Sequence, residues 1–155
     1  MYDRILVPLD GSQLAECVLP HVESIAKGCG VAVVTLLRVV ESHNLPTGQG
    51  GWLPSPEEVA QVEAQSEKEA KDYLGKLARR LQYNSAKVKT EVIKGRAAEA
   101  IADYATKSQA DLIIVATHGR SGVSRWVWGS VAERILRSSC VPVLMVRAPG
   151  CVPGV

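Results

Sequence analysis

The sequence predicts a doubly wound α/β domain: a five-stranded parallel sheet of order 3-2-1-4-5, with helices on both faces. Three observations carry this. Short apolar runs alternate with segments of helical period along most of the chain. The run Asp111-Leu112-Ile113-Ile114-Val115-Ala116 is apolar without alternation, as a strand covered on both faces is. The chain has 155 residues, the size of one ordinary domain. Such a chain buries roughly 68–70% of its unfolded surface and needs no metal or disulfide staple. Right-handed crossovers between parallel strands then leave few topologies.

The elements follow in order. Arg4 to Leu9 reads as a buried strand closed by the turn Asp10-Gly11-Ser12. From Gln13 the period changes. Ala15, Val18, Leu19, Val22, Ile25 and Ala26 mark one helix face, which Gly28 and Gly30 stop. Val31 to Val40 is the second strand. Glu41 to Leu53, with Pro46 and three glycines, reads as a mobile loop. Ser55-Pro56-Glu57-Glu58 combines a cap, a first-turn proline and a capping-box glutamate, and opens a long helix with Ala70, Leu74, Leu77 and Leu81 on its buried face. Its charged run Ser66–Asp72 reads as a solvated face with local pairs such as Glu67 with Lys71.

Ala86 to Ile93 alternates valine with charge, as a strand near a sheet edge does. A helix follows Gly95 and carries Ala98, Ile101, Ala102 and Ala105. After the fourth strand (111–116), Thr117 to Trp128 is a loop bearing glycine and arginine. Ser130-Val131-Ala132-Glu133 reads as a second capping box opening a helix to about Ser138. Val141 to Val146 is the last strand. The domain is expected over 1–147, with 148–155 a flexible tail rich in Pro and Gly.

Composition excludes several classes. With 46% hydrophobic and 22% charged residues the chain is not disordered. A net charge of +2 makes no electrostatic case for nucleic acid or an anionic membrane. No apolar run is long enough to span a bilayer. The amino terminus meets charge too soon for a signal peptide, so a cytoplasmic protein is expected. Cys17, Cys29, Cys140 and Cys151 lack metal-ligand spacing and read as reduced thiols, with Cys151 the most exposed to chemistry. No metal site is expected.

In the order 3-2-1-4-5 the chain reverses direction of winding between the first and fourth strands, and ligands sit beyond strand carboxyl ends at such a point. Asp10 and the loop from Thr117 to Ser130 then face each other. Gly119, Gly122 and Gly129 allow a close backbone approach. Gly129-Ser130 leads into a helix whose first N–H groups and dipole favour an anion. Arg120 and Arg125 add cations. These features suit a phosphate, although glycine and serine before a helix also serve as plain turn and cap. Other phosphate motifs are missing. There is no G-x-x-x-x-G-K-S/T, no G-x-G-x-x-G after the first strand and no G-x-S-x-G. His118 has no partner that sequence places, so no catalytic residue is assigned.

From Arg4 to Arg147 the chain resembles the universal stress protein family, whose fold is a Rossmann-like sheet. The resemblance rests on Ile5-Leu6-Val7-Pro8-Leu9-Asp10-Gly11-Ser12, on Thr35 to Val40, on Asp111 to Arg120, on Gly129 to Glu133 and on Cys140 to Arg147. The ATP-binding branch carries G-x2-G-x9-G-S/T; here it reads Ala116-x2-Gly119-x9-Gly129-Ser130. Alanine keeps a close backbone approach if its φ is negative. The resemblance implies that Asp10 contacts the ribose or adenine end, that Pro8 and Leu9 line the base pocket, and that the backbone of Val39 bonds the adenine edge. It places Ala116, His118, Gly119 and Arg120 around the phosphates, which Gly129, Ser130 and Val131 bind.

The resulting expectation is a regulatory protein binding ATP (or AMP or ADP), with Mg held through phosphates and little or no turnover. It forms a homodimer through Val141 to Val146 and contacts neither nucleic acid nor membrane. The alternative is a family member without nucleotide, acting as a protein-interaction module.

Overall fold

In the computed structural model, residues 2–41, 55–81, 83, 86–117 and 130–147 are described. The strands are β1 (Arg4–Pro8), β2 (Val33–Val40), β3 (Lys87–Lys94), β4 (Leu112–Ala116) and β5 (Val143–Val146). The helices are α1 (Leu19–Cys29), α2 (Pro56–Arg80), α3 (Ala97–Lys107) and α4 (Ser130–Ser138). All strand pairs are parallel and the order is β3-β2-β1-β4-β5, as the sequence predicts. The loop 42–54 and the tail 148–155 lie outside the described residues.

The two-residue period of the strands sorts their side chains into two cores. Ile5, Val7, Val34, Leu36 and Ile114 pack against Val22 of α1 and Leu74 and Leu77 of α2. Leu6, Leu37, Ile113 and Val115 pack against Ile101 and Ala105 of α3 and Ala132 and Ile135 of α4. β1 and β4 contribute to both cores, which is why their sequences carry no polar alternation. β3 has one neighbour and mostly exposed or half-buried residues, in keeping with its charged alternation.

Helix ends follow local chemistry. Ser55 Oγ accepts from Glu58 N at 3.2 Å, and Ser55 N donates to Glu58 Oε2 at 2.7 Å, completing the capping box at α2. Lys71 and Glu67 pair at 2.6 Å. Hydrogen bonding from Lys71 holds the Glu67 carboxyl below its ordinary range.

The first helix departs from expectation. A 3-10 turn, Ala15–Val18, precedes α1, so no single helix runs from Gln13. Pro20 stands at the start of α1 and has no N–H to donate to Glu16. Leu19 N donates to the Glu16 carbonyl instead, a tighter three-residue closure. Gly28 stays inside the helix, and Gly30, at φ 65°, ends it with its N–H on Ala26 O. α4 includes Ser130 itself, where the sequence pattern has Ser130 as the cap.

Asp111 ties the amino ends of β1 and β4 together. Its Oδ2 accepts from the N–H groups of Asp3 and Arg4, each at 2.8 Å. Those two backbone bonds hold its carboxyl below the ordinary range. A depressed folded-state pKa gives stability that is present above the unfolded value and lost as pH falls through the folded one. Asp111→Asn therefore costs about 1 kcal/mol at pH 7. The difference from wild type shrinks as the pH falls from neutral to below the ordinary carboxylate range. Urea unfolding at the two pH values measures it.

Candidate functional site

Three backbone hydrogen bonds show where the sheet opens. Leu9 N donates to Leu37 O at 2.8 Å, so β1 stays with β2 to its end. Thr117 N donates to Val146 O at 2.8 Å, so β4 stays with β5. Between β1 and β4 the register runs through Ile5 with Leu112 and Leu6 with Ile113, near their amino ends. Asp111 N on Arg4 O, at 2.8 Å, adds to that closed end. Beyond Leu6 and Ile113 the two strands part. A crevice thus opens at the carboxyl ends of the central strands, at the switch point of the winding.

One wall comes from β1 and the turn after it. Pro8 and Leu9 are buried, and Asp10 is half-buried. Asp10 Oδ1 accepts from Ser12 N at 2.8 Å and Ser12 Oγ at 2.6 Å, an Asx turn that holds the carboxylate at the mouth. Ser12 Oγ accepts in turn from Ala15 N at 3.1 Å. Gly11, at φ +84°, supplies the left-handed residue this reversal requires.

β2 contributes Val39. The Leu37 carbonyl points toward β1, where Leu9 N meets it. Val39 lies two residues on, so its N–H and C=O point the same way, past the turn at Asp10. Its side chain packs with the α3 and α4 core.

The other wall begins with Ala116 and Thr117. Gln109 is the one non-glycine residue with positive φ among the described residues, so Ala116 has a negative φ. Its methyl packs into the α1 and α2 core at 9% exposure. The backbone there makes no demand for glycine. Thr117 is buried beside it at 5% exposure. Ser130 and Val131 open α4 and are exposed, and the positive end of the helix dipole lies there. His118, Gly119, Arg120 and Gly129, like Arg125, lie outside the described residues.

Three further residues near this mouth, which the sequence pattern does not single out, are Glu16, Arg38 and Tyr73, brought together by the fold beside Gly11. Arg38 Cζ lies 5.6 Å from the centre of the Tyr73 ring. Tyr73 Oη donates to Glu16 Oε1 at 3.1 Å. The available signal was one charged residue inside the apolar strand Val33–Val40. Cys17, Cys29 and Cys140 are free thiols, and burial pushes Cys17 up. Cys151 lies outside the described residues. Among the described residues no group of three His, Cys, Asp or Glu stands where it could hold a metal ion.

Sheet order, crevice and helix start define a doubly wound domain with a crevice at its switch point. The chain belongs to the universal stress protein family, whose profile matches residues 1–147. It is 32% identical over 151 residues to universal stress protein MJ0531 of Methanocaldococcus jannaschii, covering 96% of this chain and 84% of that one. Universal stress protein MJ0577 of the same organism is 31% identical over 156 residues, covering 95% and 96%. The solved structure of MJ0577 superposes with a TM-score of 0.83, over 97% of this chain and 99% of that one, at 28% identity. More distant members share the fold. One universal stress protein solved in complex with cAMP has a TM-score of 0.59 at 21% identity, covering 95% and 98%. An Arabidopsis thaliana member with AMP bound has 0.64 at 14%, covering 96% and 93%.

Proposed function

We propose that this protein is a cytoplasmic regulatory protein that holds an adenine nucleotide in the crevice between β1 and β4, with little or no turnover. The parting of β1 and β4 beyond Leu6 and Ile113 carries the reading. It sets Asp10 on one wall and the start of α4 on the other. In this reading Pro8 and Leu9 line the base pocket. The N–H and C=O of Val39 meet the adenine edge, and Asp10 accepts from ribose hydroxyls. The first N–H groups of α4, with Gly129, Ser130 and Val131, take the phosphates. Ala116, His118, Gly119 and Arg120 complete that end.

ATP, with AMP and ADP as alternatives, is the nucleotide. Mg is held through its phosphates, because that ion keeps its waters and takes few protein ligands. Family relatives of the same fold with AMP and cAMP bound support an adenine nucleotide. The competing reading is an interaction module without nucleotide, and the feature that favours it is Ala116 in place of the first glycine of the motif. Its negative φ and inward methyl weaken that reading. Calorimetric titration with adenosine, AMP, ADP and ATP, with and without Mg, tests the proposal. Affinity is expected to rise as phosphates are added. Equal affinity for all four would remove α4 from the site.

A homodimer through the last strand, Val141 to Val146, completes the proposal. β5 is an edge strand, and Leu144 on it and Leu136 on α4 are 36% and 48% exposed. Pairing β5 with its twin satisfies that edge and covers apolar surface. Leu144→Arg is expected to leave a particle near the chain mass of 16.6 kDa by light scattering, where the wild type gives twice that mass.

A further inference from the structure

The geometry points to Arg38 as a positioning residue for the base-and-ribose end of the crevice, acting through the Asp10–Ser12 turn rather than on the ligand. This rests on the nucleotide reading above. Arg38 shares its strand face with Val34 and Leu36, the face that α1 and α2 cover, and it is the charged residue at the carboxyl end of that face. Its guanidinium lies on the backbone of Gly11. A Cβ built on Gly11 collides with Arg38 Nη1 and comes within 2.9 Å of Cζ. Gly11 is glycine because of its φ of +84°, and the absence of a side chain there leaves room for the arginine tip.

The arginine is itself held. It stacks on Tyr73 of α2 at 5.6 Å. Tyr73 Oη is tied to Glu16 Oε1 at 3.1 Å, and Glu16 stands in the 3-10 turn that the Asp10–Ser12 segment leads into. Three elements are therefore linked beside the turn: β2 through Arg38, which touches Gly11, α2 through Tyr73, and the 3-10 turn through Glu16. The charges of Asp10, Glu16 and Arg38 all act at the Tyr73 hydroxyl, whose pKa burial raises first and Glu16 second. At that hydroxyl the Arg38 charge opposes those of Glu16 and Asp10: it lowers the pKa that they raise.

A direct phosphate contact is the competing role, and the sheet order argues against it. Arg38 lies on β2, on the far side of β1 from β4 and α4. The proposed phosphate end is at α4. Arg38 is at the other end, beside Val39.

The two roles separate in one experiment on the full chain. Arg38→Met keeps the length and apolar stem but removes the charge; Arg38→Lys restores a cation. Amide exchange is read at Ser12 and Ala15, whose N–H groups bond Asp10 Oδ1 and Ser12 Oγ. In the ligand-free protein, exchange at both is expected to quicken about tenfold in Arg38→Met and partly recover in Arg38→Lys. Affinities for adenosine and for Mg–ATP are expected to fall by a common factor of about ten. Tyr73→Phe, which keeps the ring, is expected to show a smaller change in the same direction. Loss of ATP affinity with adenosine unaffected would make Arg38 a phosphate ligand and overturn the proposal. So would unchanged exchange in a folded Arg38→Met, or lowered melting temperature with both affinities intact. A wild type that binds neither ligand defeats the nucleotide reading instead, and the exchange arm then decides alone whether Arg38 holds the turn.

Discussion

Gly129→Glu is expected to lower affinity for Mg–ATP at least about 100-fold, a loss of about 2.7 kcal/mol. The residue directly precedes α4, which begins at Ser130. A carboxylate at that point meets the helix dipole itself and repels the phosphates that the first N–H groups would otherwise bind. Adenosine carries no phosphate and loses far less. The contrast matters more than the loss, because a damaged fold would weaken both ligands alike. Titration of the two ligands against wild type and variant, beside circular dichroism, gives the answer. Equal losses for adenosine and ATP would move the phosphate end away from α4.

Ile114→Ala is expected to destabilise the protein by about 3–4 kcal/mol, within the range for a fully buried isoleucine truncated to alanine. Ile114 is 0% exposed in the strand that joins the two halves of the sheet, facing α1 and α2. The expected readout is a lower urea midpoint with an unchanged slope. Leu144→Ala on the exposed edge of β5 is the comparison, and on the separated chain it costs below about 1 kcal/mol. An Ile114→Ala cost as small as that of the edge variant would mean that β4 is not central.

The architecture was legible because each signal is local. β4 reads as a double-sided strand from six consecutive residues, and α2 starts where Ser55, Pro56 and Glu58 say it does. The pairing of Lys71 with Glu67 follows from a spacing of four on one helix. The break between the 3-10 turn and α1 was less legible, because helical periodicity continues across Pro20 while the hydrogen-bond ladder does not. Gly28 misled for a related reason: glycine ends a helix when its φ turns positive, and Gly30 alone does so here.

For the site, strand ends and helix start were legible and the cross-chain cluster was not. Pro8, Leu9, Asp10 and Ala116 sit where strand carboxyl ends must lie in this winding. Arg38, Tyr73 and Glu16 belong to three separate elements, and no periodicity links them. Their meeting depends on how α2 lies across β2, which is tertiary information. Ala116 shows the reverse case. The sequence leaves its φ open, and its place at the end of β4 decides it.

On the nucleotide reading this chain carries an adenine nucleotide between β1 and β4. Denaturing freshly purified protein and identifying the released small molecule by chromatography and mass spectrometry tests it most directly. An adenine nucleotide near one per chain, missing from Gly129→Glu, is the predicted result. Empty protein that also takes up no added Mg–ATP at millimolar concentration would rule out a nucleotide site there and favour an interaction module.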